Sequence, residues 1–331
     1  MFALSLAAVA LLASCTQKRT PELLTPADFE KEVDGKKVSL YTLKAGQVTM
    51  QVTNFGARVV TLWTPDRNGD SEDIVLGYNN IDTYINNPGE RFLGAVVGPY
   101  ANRIANGTYT IGDQVYEFPR NNNGQTLHGG LLGLDMVVWD VDEVKDNSIV
   151  LSYLRPDGQD GMPGNLKIVM TYTLTENDEF RVDYLAETDK STHVNISHHS
   201  FFNLKGEGNG TINDHVLYIN ASKTTPVNEV LIPTGEIADV TGTPFDFREP
   251  KEIGRDVDAE DEQLKNGAGY DHNWVLDRKT ENEVELAASV YEPASGRYME
   301  VWTDQPAIQF YGGNFFDGKT TGKYGRTLDY R

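Results

Sequence analysis

Between residues 166 and 175 apolar and polar positions alternate. Ile168, Met170, Tyr172 and Leu174 fall on one face, Lys167, Val169, Thr171 and Thr173 on the other. A period of two is that of a strand half-buried in a sheet. A turn at 176–179 and a return over 180–187 complete a hairpin. Shorter runs of strand character recur at 38–42, 48–54, 148–153, 193–199, 215–219, 284–291 and 298–303. Turn signals separate such runs, among them Asn68-Gly69, Asn106-Gly107, Asp157-Gly158, Asp160-Gly161, Ser295-Gly296 and Asp317-Gly318. Helical periodicity is scarce, and helical turns are expected only near 21–33 and 256–265. Many short strands without a repeat of fixed period, and without an internal linker, predict an all-β chain. The expected architecture is one large antiparallel β-sandwich.

The N-terminus has a different pattern. Residues 2–13 are almost wholly apolar and are followed by Cys15, the one cysteine of the chain. The run is too short to span a bilayer but has the length of a signal-peptide core. Leu12-Ala13-Ser14-Cys15 resembles a bacterial lipoprotein box, although no Lys or Arg precedes the run. The expectation is a signal over 1–15, lipidation at Cys15, a tether with a short N-terminal segment over 16–35, and a domain over 36–331. The protein would then sit outside the cytoplasm, touching a membrane only through that lipid. A lone cysteine rules out an intrachain disulfide. With 331 residues and a formal charge of −20, the surface repels phosphate backbones, so nucleic acid is excluded as a partner. A small neutral ligand suits it, carried by a monomer or weak dimer.

Six histidines remain for chemistry: His128, His193, His198, His199, His215 and His272. If 193–199 is a strand, His198 and His199 point to opposite faces, and His193 lies roughly 20 Å from His199 at ~3.3 Å per residue. Three metal ligands do not converge from that arrangement. The sequence has no phosphate-binding glycine loop and no Gly-x-Ser-x-Gly elbow. Acid–base work by histidine with carboxylates is what remains. Three polar clusters stand beside glycines: 102–107 with Asn102 and Arg103, 127–130 with His128, and 269–273 with Asp271. Side chains of these types hydrogen-bond the hydroxyls of an uncharged polyol in pairs.

Taken in order, these segments resemble the aldose 1-epimerase family. The resemblance runs through Asn54-Phe55-Gly56-Ala57, Asn102-Arg103-Ile104-Ala105, Leu127-His128-Gly129-Gly130 and Asp160-Gly161-Met162-Pro163-Gly164. It continues through Asn195-Ile196-Ser197-His198-His199-Ser200-Phe201-Phe202-Asn203-Leu204, Gly269-Tyr270-Asp271-His272-Asn273 and Gln309-Phe310-Tyr311. It implies the galactose mutarotase-like β-supersandwich and a reaction without metal or organic cofactor. A base takes the proton of the anomeric hydroxyl, an acid protonates the ring oxygen, and the opened sugar re-closes as the other anomer. His199 matches the family's acid. Asn102, Arg103, His128, Ser200, Phe201, Asp271 and Gln309 match its sugar-binding positions, Phe201 standing where the family has tyrosine. His198 is expected to be structural. The family's base is a glutamate in a Glu-x-Gln motif soon after the segment matching 309–315, and no such motif precedes Arg331. The chain is therefore expected to be a piece lacking the base and the closing strands, with Glu300 a conceivable substitute. A sugar-binding protein without turnover is the alternative reading. A hexose-phosphate epimerase is a third, which the scarcity of basic clusters opposes.

Overall fold

The computed structural model describes residues 18–86 and 89–329, so the apolar leader and Cys15 lie outside the described residues. Strands β1 (Leu40–Ala45), β2 (Val48–Thr53), β3 (Arg58–Pro65) and β4 (Ser71–Asp73) pair in chain order into an antiparallel sheet. After a short helix, α1 (Ile81–Asn86), come β5 (Ala95–Val97), β6 (Arg103–Ile104) and β7 (Thr126–Leu127), the last two paired. A second sheet follows in chain order: β8 (Asp140–Val144), β9 (Ser148–Arg155), β10 (Leu166–Leu174) and β11 (Phe180–Thr188). Strand β12 (Ser197–His199) returns to pair with β5.

The rest of the chain interleaves two more sheets. Its elements are β13 (Val216–Ile219), β14 (Lys223–Thr224), β15 (Ala238–Asp239), β16 (Lys251–Glu252), α2 (Glu262–Gly267), β17 (Asp271–Val275), β18 (Glu285–Tyr291), β19 (Tyr298–Thr303) and β20 (Ala307–Tyr311). They pair in the orders β16-β13-β18-β19 and β15-β14-β17-β20. The expected all-β antiparallel architecture is observed.

The first two sheets face each other across a core that includes Met50, Val52, Val59, Trp139, Leu151, Ile168, Met170 and Tyr172. The inward residues of β10 are those its alternation picked out. A separate core under β13, β17 and β18 gathers Phe245, Phe247, Tyr270 and Trp274. Strands β2 and most of β3 are buried along both faces, which removes the alternation that marks a half-exposed strand.

Three segments differ from their sequence reading. Of 193–199 only Ser197–His199 is strand, and His193 leaves the line to pack against Tyr109 and Tyr100, at 4.7 and 6.3 Å between ring centroids. Residues 19–38 lie along the domain: Leu24 and Gln51 exchange hydrogen bonds of 2.9 and 3.0 Å, and Phe29 is fully buried. The stretch after Gly318, polar in sequence, buries Lys323 and Leu328. The Lys323 ammonium reaches Glu207 Oε2 at 2.7 Å, Asp73 Oδ2 at 3.1 Å, and the carbonyls of Val60 and Val75 at 2.7 Å each. Burial alone would pull this lysine down, but the two carboxylates hold it above its ordinary range.

Candidate active site

Strand β12 divides two histidines. His198 points into the sheet core, where Tyr172 Oη lies 3.1 Å from its Nδ1 and Ser200 Oγ 2.6 Å from its Nε2. Tyr172 gives its proton to the Ala57 carbonyl at 2.9 Å. It must therefore accept from His198 Nδ1–H, which leaves Nε2 to accept from Ser200. Burial pulls His198 down to about 3, so it stays neutral within this closed chain. Ser200, expected among the sugar-binding residues, is on this side of the strand with its hydroxyl already engaged. It does not join the pocket, because one step along a strand reverses the face.

His199 faces the other way. Its ring stands 5.1 Å from His128, 5.0 Å from Phe201 and 5.8 Å from Phe92, centroid to centroid. Burial draws it down to about 4. His128 sits at φ +51° after β7, and Asn102 at φ +65° before β6. The two are clamped by their backbones, Asn102 N–H donating to His128 Nδ1 at 2.9 Å and His128 N–H to the Asn102 carbonyl at 3.1 Å. Because Nδ1 accepts, the neutral His128 ring carries its proton on Nε2. Burial, then the nearby His199, push its pKa well below the usual histidine range. Beside it Gly129 has no room for a side chain, since a Cβ there would lie 1.9 Å from the Gly98 carbonyl oxygen.

Arg103, on β6, donates from Nε to Asn122 at 3.2 Å and from Nη1 to Asn102 at 3.3 Å. The same Nη1 stands 3.9 Å from Asp271 Oδ2. Asp271 opens β17, and Gln309 on β20 donates to its Oδ1 at 2.9 Å. Burial is the leading influence on both ions, lifting the Asp271 carboxyl and lowering the Arg103 guanidinium. Phe201 packs edge-on against Tyr311 and Phe316 at 5.6 Å. The pocket thus joins Asn102, Arg103, His128, His199, Phe201, Asp271 and Gln309. Two neutral imidazoles, one guanidinium, one carboxylate and amides stand beside aromatic rings, an arrangement that binds hydroxyls and moves protons.

The family model for aldose 1-epimerase matches residues 39–328. The chain belongs to the aldose 1-epimerase family. The galactose mutarotase of Bos taurus is 42% identical over 288 residues, spanning 87% of this chain and 81% of that protein. The aldose 1-epimerase of Escherichia coli is 35% identical over 287 residues, spanning 86% and 81%. Among solved structures, an aldose epimerase homologue from C. elegans superposes with TM-score 0.80 at 29% identity, covering 88% of this chain and 86% of its own. The galactose 1-epimerase of Lactobacillus acidophilus gives 0.76 at 30% identity, covering 90% and 86%.

Other features of this epimerase-family pocket escaped the sequence reading. Arg58 is fully buried, and donates to the Arg91 and Leu93 carbonyls at 3.0 Å and to the Asp135 carbonyl at 2.8 Å. Arg91 grips the Asp135 carboxylate at 2.6 and 3.0 Å. Together they hold Phe92 against the two histidines. No motif announces them, because a buried arginine in a strand resembles an exposed one in sequence. Glu300 takes no part in the site. It is exposed on β19 and accepts from Tyr298 Oη and Trp302 Nε1 at 3.1 and 3.0 Å, so its alternation carries it to solvent.

Proposed function

We propose that this chain interconverts the α and β anomers of aldoses such as galactose and glucose by acid–base ring opening and re-closure. One observation carries the reading: His199 shares a pocket with His128, Arg103, Asp271 and Gln309, brought together from five separate strands and loops. His199 is the acid for the ring oxygen. Burial makes its imidazolium a stronger acid than an exposed one, which suits proton transfer to a weakly basic ether oxygen. His128 Nε2–H and Arg103 steady the charge that grows on the ring oxygen. Asp271, Gln309 and Asn102 receive and donate hydrogen bonds to ring hydroxyls, while Phe92 and Phe201 offer apolar faces to the sugar's C–H edge.

A second reading, sugar binding without turnover, is favoured by the outward direction of Glu300. Polarimetry distinguishes the two. Freshly dissolved α-galactose should relax faster with the protein than in buffer, and His199→Asn should lower that acceleration by about 10²–10⁴-fold, the usual worth of a positioned acid. Saturable galactose binding without acceleration would establish the binding protein instead.

A further inference from the structure

Asp271 is held in place chiefly by its backbone. Its carboxylate is attached to the protein by a hydrogen bond from Gln309 and a 3.9 Å approach of Arg103. The peptide that joins it to Tyr270, by contrast, is gripped at both ends. The Tyr270 carbonyl accepts the Gly312 N–H at 2.9 Å and Asn314 Nδ2 at 2.8 Å. Asn314 is buried, and the same Nδ2 also donates to the Gly267 carbonyl at 2.9 Å.

The Asp271 N–H lies at the other edge of that peptide plane, so it points away from β20 and toward β14. The register of β14 on β17 stops at Thr224 opposite Trp274, and Thr225 adds one more bond, to the Asn273 carbonyl at 3.1 Å. Among the described residues no strand reaches the Asp271 N–H from that side. The imidazole of His272 takes the place of the missing strand, its Nδ1 accepting the Asp271 N–H at 3.1 Å. Accepting there puts the ring proton on Nε2. Burial draws the imidazole down to about 4, so the lone pair on Nδ1 is kept at neutral pH.

Both side chains occupy places shaped for them. His272 is buried and stands edge-on to Phe245 at 4.7 Å. Gly267, at the end of α2, leaves it room, since a Cβ there would come within 2.9 Å of its Cε1. A Cβ on Gly269 would lie 2.5 Å from Asn314 Oδ1. Tyr270 is itself anchored, its Oη donating to the Pro244 carbonyl at 3.0 Å. A peptide plane bonded at both edges resists the rotation that would swing the Asp271 carboxylate across the pocket.

We propose that His272, with Asn314, is a positioning residue: by fixing the Tyr270–Asp271 peptide the pair aims the Asp271 carboxylate at the sugar's hydroxyls. This rests on the epimerase reading and deepens it. Both residues act through Asp271, and neither needs to touch the sugar.

The test is calorimetric titration of the full chain with galactose. His272→Phe keeps an aromatic ring against Phe245 and removes the acceptor, whereas His272→Asn places an amide oxygen close to where Nδ1 stood. Expected is roughly 10-fold weaker binding by His272→Phe, on the scale of one hydrogen bond to a charged group, and near wild-type binding by His272→Asn. A second series in the Asp271→Ala background separates aiming from scaffolding. With no carboxylate to aim, His272→Phe should add no further loss. Should His272→Phe not fold, Asn314→Ala, which frees the carbonyl end of the same peptide, reads the same loss and the same silence beside Asp271→Ala. Wild-type affinity in a folded His272→Phe overturns the proposal. So does a loss that recurs in full without the Asp271 carboxylate, or one that His272→Asn shares. A folded wild type that neither binds galactose nor speeds its mutarotation overturns the epimerase reading, and this proposal with it.

Discussion

Two groups of buried charges in this molecule have opposite character. Around Lys323 every partner is protein: two carboxylates and two carbonyls surround the ammonium within 3.1 Å. Around Arg103 the geometry is looser. Its closest approach to Asp271 is 3.9 Å, and among the described residues the Asp271 carboxylate otherwise accepts a hydrogen bond from Gln309 alone. The first group is closed on itself and joins the chain's late stretch to β3 and to the segment after β4. The second is left with bonding capacity that a ligand can take up. The same contrast divides the neighbouring histidines, since His198 has a partner for each ring nitrogen whereas His199 is surrounded chiefly by rings. Saturation by protein partners, more than burial, separates the structural groups from the chemical ones.

That contrast can be broken by experiment. Lys323→Met should cost about 3–5 kcal/mol in urea unfolding, because it strands Asp73 and Glu207 as unpaired buried carboxylates. Galactose affinity of the remaining folded protein should be unaltered. A variant of normal stability with damaged binding would show that the triad belongs to the site.

Acid should act on the pocket first. His128, His198 and His199 are all depressed by burial, so below about pH 6.5 the unfolded chain binds more protons than the folded one. Their contribution is present above that pH and is lost as pH falls toward about 4. Glu90 and Asp271, raised by burial, work in the opposite direction. A melting temperature lower by several degrees at pH 5 than at pH 7.5 is expected, and galactose should restore part of it. No such fall would mean that the histidines titrate normally and that the pocket is wetter than drawn. The smallest effect is reserved for Ser200→Ala. It leaves His198 Nε2 without its donor, at a cost of about 1–2 kcal/mol by thermal or urea unfolding, with sugar affinity unchanged. Weaker sugar binding would return Ser200 to the pocket.

Much of this was legible in the sequence. The alternation of β10 fixed its inner face, and the opposite directions of His198 and His199 followed from two adjacent residues on a strand. The glycine-flanked polar clusters marked the pocket walls, since Asn102, His128 and Gly129 all need positive φ. Other parts left no local trace. Strand β3 is buried on both faces and so loses its period. Arg58 and Asp135 are single charged residues whose meaning depends on partners far along the chain. Lys323 reads as one more polar residue of a polar stretch until Asp73 and Glu207 are seen around it. His193 lies off the strand for a related reason: whether 193–196 pairs as a strand depends on a neighbour, and among the described residues a single bridge, Asn195 to Tyr100, forms there.

The pocket draws on residues from Asn102 to Gln309, and none of the short strands that carry them holds a complete half. It can therefore exist only after both cores have condensed and the distant segments have met, which makes it a late product of folding. Sugar affinity should then return in step with the slowest refolding phase, so that bound galactose counts the molecules that have finished.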